Sequence, residues 1–464
     1  MTPASAGTAT IASSRQQVNA ASQLAAAAVT PGAYSIHFVP AAAFSGTAVI
    51  AYTLSNEIAT SAPGFVSIVV AARPDPSTDP DVVGLINAQI QAARRFADAQ
   101  ISNYSDRLER LHGTGRAPSG NGITLVLPGA APGTATDSCS DASTPTLRDA
   151  CLRANQALNA DTSTPTPAAR GRTNTGATTS PDASAASTSD LAFWSAGALD
   201  FGLNNAGAQR SGFRFTTAGV TAGADYRISH QFTIGAGGGY GHDSSDIGSD
   251  GTKSTGDSYS FAVYGSYRPQ PTLFVDGLAG FGSLNFDSRR WVSDASAFAN
   301  GPRSGRQVFA ALSTGYERRT GTWLVSPYAR ISYSDATLDQ FSENGAGTDS
   351  LTYFAQSVTT VSGTLGLRTQ FAQATKWGML LPYARVEYQH DFEGQSRAGL
   401  AYADFAGSGP AYFVTGTPFG QNRVQLGIGT KCQTGSMTYG LDYSVMFGVS
   451  TLQQGVRLTF SAPF

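Results

Sequence analysis

From Leu191 to the end of the chain, apolar residues alternate with polar or small ones in stretch after stretch. In RVQLGIGTKCQ, Val424, Leu426, Ile428 and Cys432 fall on one face of an extended chain, with Arg423, Gln425, Gly427, Gly429 and Lys431 on the other. In TYGLDYSVMF, Tyr439, Leu441, Tyr443, Val445 and Phe447 alternate with Gly440, Asp442, Ser444 and Met446. A period of two is the signature of a strand with two different faces. Twelve such stretches are legible, at about 191–202, 212–228, 231–243, 256–268, 271–287, 305–318, 322–336, 355–371, 377–392, 420–434, 436–448 and 451–462. The connections after the second, fourth, sixth, eighth and tenth are tight (229–230, 268–271, 318–321, 372–376 and 433–436), and those after the third, fifth, seventh and ninth read as long and polar. Short turns at one end, long loops at the other and an even strand number predict a 12-stranded antiparallel transmembrane β-barrel over residues 190–464. A soluble sandwich has no reason to sort its loops this way.

The earlier part of the chain has other periods. YSIHFVP, GTAVIAYTLSN and GFVSIVVAA predict strands within 34–73, with Ile50, Tyr52 and Leu54 on one face and Val66, Ile68 and Val70 on another. Three strands make only a partial β-sandwich, and residues 1–33 read as a flexible leader. Residues 79–112 predict a helix with Asp79 as N-cap, Pro80 at the first position, Asp81 at the positive end and Gly113 as stop. Its apolar stripe is Val82, Ile86, Ile90, Ala93, Phe96, Ile101, Tyr104, Leu108 and Leu111, and its other face carries Arg94, Arg95, Asp98, Asp106, Arg107 and Arg110. About 32 residues reach roughly 48 Å, longer than a bilayer's hydrocarbon core. The helix is too polar for lipid and fits either a soluble bundle or a polar pore. Residues 113–189 are Ser, Thr, Ala, Pro and Gly-rich and read as an unstructured insert.

An echo within the barrel places candidate lumenal groups. SPYARISYSD and LPYARVEYQHD put Tyr328 with Arg330, and Tyr383 with Arg385, on one face. An arginine facing lipid at mid-membrane costs roughly 2–4 kcal/mol, so these faces are expected to look into the lumen. Arg423 belongs to the same polar side, and Glu387, Asp391, Asp442 and Glu317 are expected as partners. Two roles stay open for this set: a charge network that stabilises the barrel, or a guide for a chain in transit. In QFTIGAGGGYG the polar face (Gln231, Thr233, Gly235, Gly237, Gly239) is nearly bare, leaving space for a helix or meeting a packing need of the wall.

Composition supports a membrane protein. Charged residues are 13% of the chain, against about 25% in soluble domains. Gly numbers 52, and hydrophobics are only 41%. The net charge of −2 offers no electrostatic case for nucleic acid. No run of about 18 apolar residues exists, so no transmembrane helix is expected. The first 30 residues lack the pattern of a secretory signal. If the rest is an outer-membrane protein, Met1 is then not the start of the precursor, or the chain is a fragment. Cys139 and Cys151 sit close together in a polar segment, where a small disulfide and two free thiols are both open. The five histidines are scattered, with His242 read at a loop edge, and no catalytic, phosphate-binding or metal motif emerges. GAGGGYG lies in a strand pattern with no helix after it, so it is not a nucleotide loop. No enzyme, cofactor or metal is expected.

The helix, FWSAGALDFG at 193–202, the twelve strands with PYARVEYQHDF and the terminal phenylalanine together resemble the β-domain of a bacterial autotransporter (type V secretion). FSGTAVIAYTLSNEIATSAPGFVSIVV resembles the Ig- or cadherin-like modules of large bacterial surface proteins. These resemblances imply an outer-membrane translocator of a Gram-negative bacterium, with the helix in the lumen and an Ig-like, adhesive passenger on the cell surface. They imply outer-membrane lipid, the barrel-assembly machinery, periplasmic chaperones and the chain's own passenger as partners, in a monomer. Val456, Leu458, Phe460 and Phe464 would be the assembly signal, and Arg94, Arg95, Arg107 and Arg110 would lie in the lumen. Some members cut themselves between adjacent asparagines; here Asn87 and Asn103 stand alone and Asn204–Asn205 lies beyond the helix, so the passenger is expected to stay attached. The insert would hang on the periplasmic side. A porin-like channel, and an adhesin acting through its long loops, are the alternatives.

Overall fold

The computed structural model describes residues 1–14, 33–41, 44–55, 58–112, 191–393, 396–416, 421–434 and 437–461. Twelve long strands dominate: β1 (Leu191–Asn204), β2 (Phe213–Arg227), β3 (Phe232–Ile247), β4 (Thr252–Gln270), β5 (Leu273–Val292), β6 (Ala297–Tyr316), β7 (Trp323–Leu338), β8 (Gln356–Phe371), β9 (Gly378–Glu393), β10 (Asn422–Thr434), β11 (Met437–Phe447) and β12 (Thr451–Ser461). Each pairs antiparallel with its neighbour in the chain, and β12 returns to β1 from Thr451↔Asn204 to Thr459↔Ala196. The sheet therefore closes into a 12-stranded barrel without an edge. Alternation sorts its two faces. Val220, Phe261, Val263, Phe281, Ile331, Leu365 and Ile428 are exposed on the outside, and Leu458 is 67% exposed. Such a continuous apolar outer band suits lipid and would be a liability in water.

The ends differ from the sequence expectation in one respect. The connections after β3 and β5 are the four-residue turns 248–251 and 293–296, not long loops. The polar stretches 244–255 and 288–304 are mostly strand, continuing the β3–β4 and β5–β6 hairpins past the apolar band. These mostly polar residues looked like loop because no lipid-facing alternation marks a strand that projects beyond a membrane. The long connections that remain, 339–355 and 394–421, lie at the same end. They contribute four short strands, Phe341–Ser342, Leu351–Tyr353, Ser396–Tyr402 and Tyr412–Gly416, which pair in that order as a cap.

Helix α1 (Pro80–Leu111) runs inside the barrel. Asp79 caps it by accepting from the Asp81 backbone N–H at 2.8 Å, with Pro80 at the first position. Its first turn is at the long-loop end, where Asp81 accepts from Ser211 (2.7 Å) and Thr252 (2.8 Å). His112, just past its last turn, reaches Asp276 and Glu317 at the short-turn end. The apolar stripe packs in two clusters. Val82, Leu85, Ile86 and Ile90 meet Phe213, Ile247, Leu338 and the cap residues Leu351, Leu400 and Val414. Lower down, Tyr104 and Leu108 meet Trp194, Tyr264, Leu278 and Phe309.

On one side α1 rests on β3 where that strand is bare. An added Cβ at Gly241 would lie 2.9 Å from Phe96, at Gly239 2.5 Å from Gln100, and at Gly237 3.0 Å from the Tyr104 hydroxyl. Helix residues four apart rise about 6 Å, and strand residues two apart rise about 6.6 Å, so the two series stay in step over three contacts.

Before the helix, Gly7–Ser14 pairs with Ala33–Pro40, and Gly46–Tyr52 with Gly64–Val70, as two separate two-stranded sheets. The stretch read as a leader thus contains a strand, and the strand at 33–40 takes its partner from there. Arg73 anchors the segment leading into α1: it forks onto Asp404 of the cap at 2.7 Å and lies over the Phe405 ring, while Tyr402 donates to the Pro74 carbonyl at 2.9 Å. The insert 113–189, with Cys139 and Cys151, and Phe464 lie outside the described residues.

Two expectations follow. Gly237→Val forces a side chain against Tyr104 and the Ala222 carbonyl at 2.6 Å; urea unfolding should show a loss of about 1–3 kcal/mol with the barrel still formed. The Arg73 guanidinium holds the Asp404 carboxyl below its usual range. The contact is therefore fully present above an ordinary aspartate pKa of about 3.9 and is lost as pH falls through the depressed value. Hydrogen exchange of residues 74–79 should rise on acidification below about pH 4, and Asp404→Asn should flatten that dependence.

Candidate functional site: the helix and its lumenal seat

The inner wall meets the helix charge by charge. Near the long-loop end, Arg303 Nη1 donates to Gln89 Oε1 at 2.9 Å, and Gln307 donates to the Ala93 carbonyl at 2.7 Å. One level down, Arg94 Nη2 donates to Asp391 Oδ2 at 2.5 Å, and Arg423 donates to the other oxygen of that carboxylate at 2.8 Å. Arg95 bonds Asp243 at 2.6 Å from Nη2, and its guanidinium lies 3.9 Å from the Phe215 ring centre. Asn103 donates to Thr221 at 2.8 Å. Arg107 makes a two-pronged bond to Asp225, at 2.7 and 2.9 Å, and Tyr264 donates to the same carboxylate at 3.2 Å. All these side chains are buried.

Toward the short-turn end the helix also supplies acids, which meet bases of the wall. Asp106 pairs with Arg457, and with Arg385 at 3.4 Å. Glu109 pairs with Arg368, and with Arg385 at 2.5 Å. Glu317 joins Arg368 (2.8 Å) to His112 (3.1 Å), whose other ring nitrogen lies 2.9 Å from Asp276. A neutral imidazole can donate from only one nitrogen, so this seat suits the ring protonated on both.

The residues singled out from sequence fall into three groups. Tyr328, Arg330, Arg385 and Glu387 come together on the inner wall, where Tyr328 donates to Glu387 and Arg330 lies 3.4 Å from it. Arg94 and Arg423 share Asp391. Asp442 and Tyr383 both lie against the bare Cα of Gly429, within electrostatic reach of Arg110. Val456 and Leu458 are on the outer face of β12, and Phe460 pairs by backbone with Tyr439. His242 is not at a loop edge: it faces outward in mid-β3, with Nδ1 2.9 Å from Asp257. Sequence reasoning missed Asp225, Asp243, Arg290, Arg303, Arg368 and Arg457. Their signal was present, since each is a charge on the inward parity of its strand. It missed as well that the lumen is apolar in part, because Trp194 and Phe215 share that parity. No nucleophile, base and orienting group converge in these contacts, and their chemistry is that of holding a helix.

A family model described as the autotransporter β-domain matches residues 193–444. Esterase EstA of Pseudomonas aeruginosa is 24% identical over 275 residues, covering 57% of this chain and 41% of that protein. The chain thus spans about two-fifths of the length of the curated relatives it matches. Among solved structures, the translocator domain of autotransporter NalP from Neisseria meningitidis aligns with TM-score 0.49 and 16% identity, over 60% of this chain and 89% of that one. The transport unit of autotransporter AIDA-I from Escherichia coli aligns with TM-score 0.45 and 15% identity, over 61% and 93%.

The Arg107–Asp225 fork provides a test of the seat. Arg107→Met alone leaves a buried carboxylate uncompensated and should lower stability by about 3–5 kcal/mol, whereas Arg107→Met with Asp225→Leu should recover most of that loss. Urea unfolding of the single and double variants measures both.

Proposed function

Because the chain belongs to the autotransporter β-domain family, whose barrels reside in the outer membrane, we propose that it is a translocator that exports its own N-terminal segment and then tethers it. The observation that carries this reading is the direction of α1. The helix enters the barrel at the long-loop end, leaves it at His112 at the short-turn end, and β1 starts from that same end. With short turns on the periplasmic side, residues 1–79 lie outside and the helix is the tether. The ion pairs along α1 support a helix seated to stay, in line with the absence of an adjacent asparagine pair in it. They argue against an open, porin-like channel. Loops folded into a cap over the helix argue against an adhesin built from those loops.

An Ig-like, adhesive passenger is part of the proposal, supported by the alternating hairpin of Gly46–Tyr52 and Gly64–Val70. The match to Esterase EstA favours a second reading for the passenger, an enzyme. Insertion would use periplasmic chaperones and the barrel-assembly machinery, with Val456, Leu458, Phe460 and Phe464 as the signal, and the product would be a monomer.

Protease added to intact cells should remove residues 1–72 and leave a heat-modifiable barrel; protection of that segment in intact cells, with cleavage only after lysis, would overturn the orientation. Deleting Phe464 should lower outer-membrane insertion far more than it lowers the stability of barrels already assembled. Equal effects would reduce that residue to packing.

A further inference from the structure

The two ends of the barrel differ in charge. Arg227, His230, Arg268, Arg318, Arg319 and Lys376 lie on the short turns or the strand ends beside them. Arg318, Arg319 and Lys376 are exposed, and Arg227 and Arg268 are half-buried. Among the described residues, the carboxylates Asp225, Asp276 and Glu317 near this end are buried and engaged with Arg107, His112 and Arg368. They lie inward, not on the rim. Arg268 is within electrostatic reach of Asp276 and Glu317, but of Arg227 and Arg319 as well, so cations are gathered here, among the described residues, without an exposed acid beside them. The opposite end carries both signs, for example Lys253 with Asp246 at 3.8 Å, and the exposed Asp287 beside Arg289.

The basic residues form a continuous arc because the turns touch. Arg268 donates its backbone N–H to Gln231 (2.8 Å), Glu317 to Thr272 (2.7 Å) and Ala372 to Thr322 (2.8 Å), which links the four turns from β2 to β9. Next to the arc, the outer face shows Tyr226, Tyr267, Tyr316 and Trp323, and Trp377 beside Lys376 is 80% exposed. Tyr and Trp collect at the boundary between hydrocarbon and headgroups, so cations one step beyond them stand at the level of lipid phosphates. Mutually repelling cations at that level are relieved by an anion from outside the protein.

We infer that this rim binds the phosphate headgroups of anionic phospholipids in the adjacent leaflet. Only the identity of that leaflet, the periplasm-facing one, rests on the orientation proposed above. The test uses the full chain in bilayer discs of phosphatidylethanolamine with a minority of phosphatidylglycerol in both leaflets, so it does not depend on orientation in a cell. Native mass spectrometry then counts the lipids that stay bound. The chain should retain phosphatidylglycerol in excess over its share of the bilayer. Replacing Arg318, Arg319 and Lys376 by Gln should cut that excess about tenfold or more at low salt, with heat-modifiable migration unchanged. Lys253→Gln with Arg289→Gln, at the other end, should leave it intact. Equal retention by the triple variant and the parent, or loss caused only by the variant at the long-loop end, would overturn the inference.

Discussion

A charged helix enclosed within a membrane barrel is the constraint on which the rest of the structure depends. Away from bulk water, each ion on the helix needs a partner or loses several kcal/mol. The wall answers with Asp391, Asp243 and Asp225 opposite Arg94, Arg95 and Arg107, and with Arg457, Arg385 and Arg368 opposite Asp106 and Glu109. Toward the C-terminal end of α1 the two signs divide by face. Arg107 turns to Asp225 on β2, while Asp106 and Glu109 turn to Arg368, Arg385 and Arg457 on β8, β9 and β12, so the wall is acidic on one side of the helix and basic on the other. Wall and helix are thus complementary as sequences, although nearly 300 residues separate Arg94 from Asp391.

Packing settles what charge leaves open. The helix leans on β2 to β6, where the glycines of β3 let Phe96, Gln100 and Tyr104 approach the sheet. Along β9 to β12 the wall is farther away, and long arginine side chains span the gap. The top of the lumen is closed differently, by apolar contacts shared between α1 and the cap. Because Val82, Leu85, Ile86 and Ile90 are buried jointly with Leu351, Leu400 and Val414, the two long loops have no complete core of their own. Their fold depends on the helix being present.

The barrel was readable in the sequence for a physical reason: a strand between lipid and lumen has two unlike environments, and alternation records them residue by residue. The same reason explains where the reading failed. Residues 244–255 and 288–304 project beyond the lipid, so apolar positions such as Ile247 and Val292 are few and the pattern fades although the pairing continues. The cap strands are too short for any period to show. Partner identities were legible only by chance. The echo of Tyr328–Arg330 and Tyr383–Arg385 identified one face of two strands, but pairing Arg107 with Asp225 requires the depth of the helix and its rotation, and neither is encoded locally.

The use of ion pairs, where apolar side chains would pack as well, has a geometric consequence. Replacing a buried pair by well-packed apolar residues is often neutral or stabilising, so these pairs are weak evidence of added stability. They do fix position. A helix sliding by one turn moves 5.4 Å, which would separate Arg94, Arg95, Arg107, Asp106 and Glu109 from their partners together. Each separated pair leaves an uncompensated buried charge, at about 3–5 kcal/mol. A smooth apolar interface would resist the same slide far less, since one methyl group replaces another. Polar pairs at the wall therefore define one axial register and one rotation, and the cap, whose core is completed by the first turns of α1, can form only in that register.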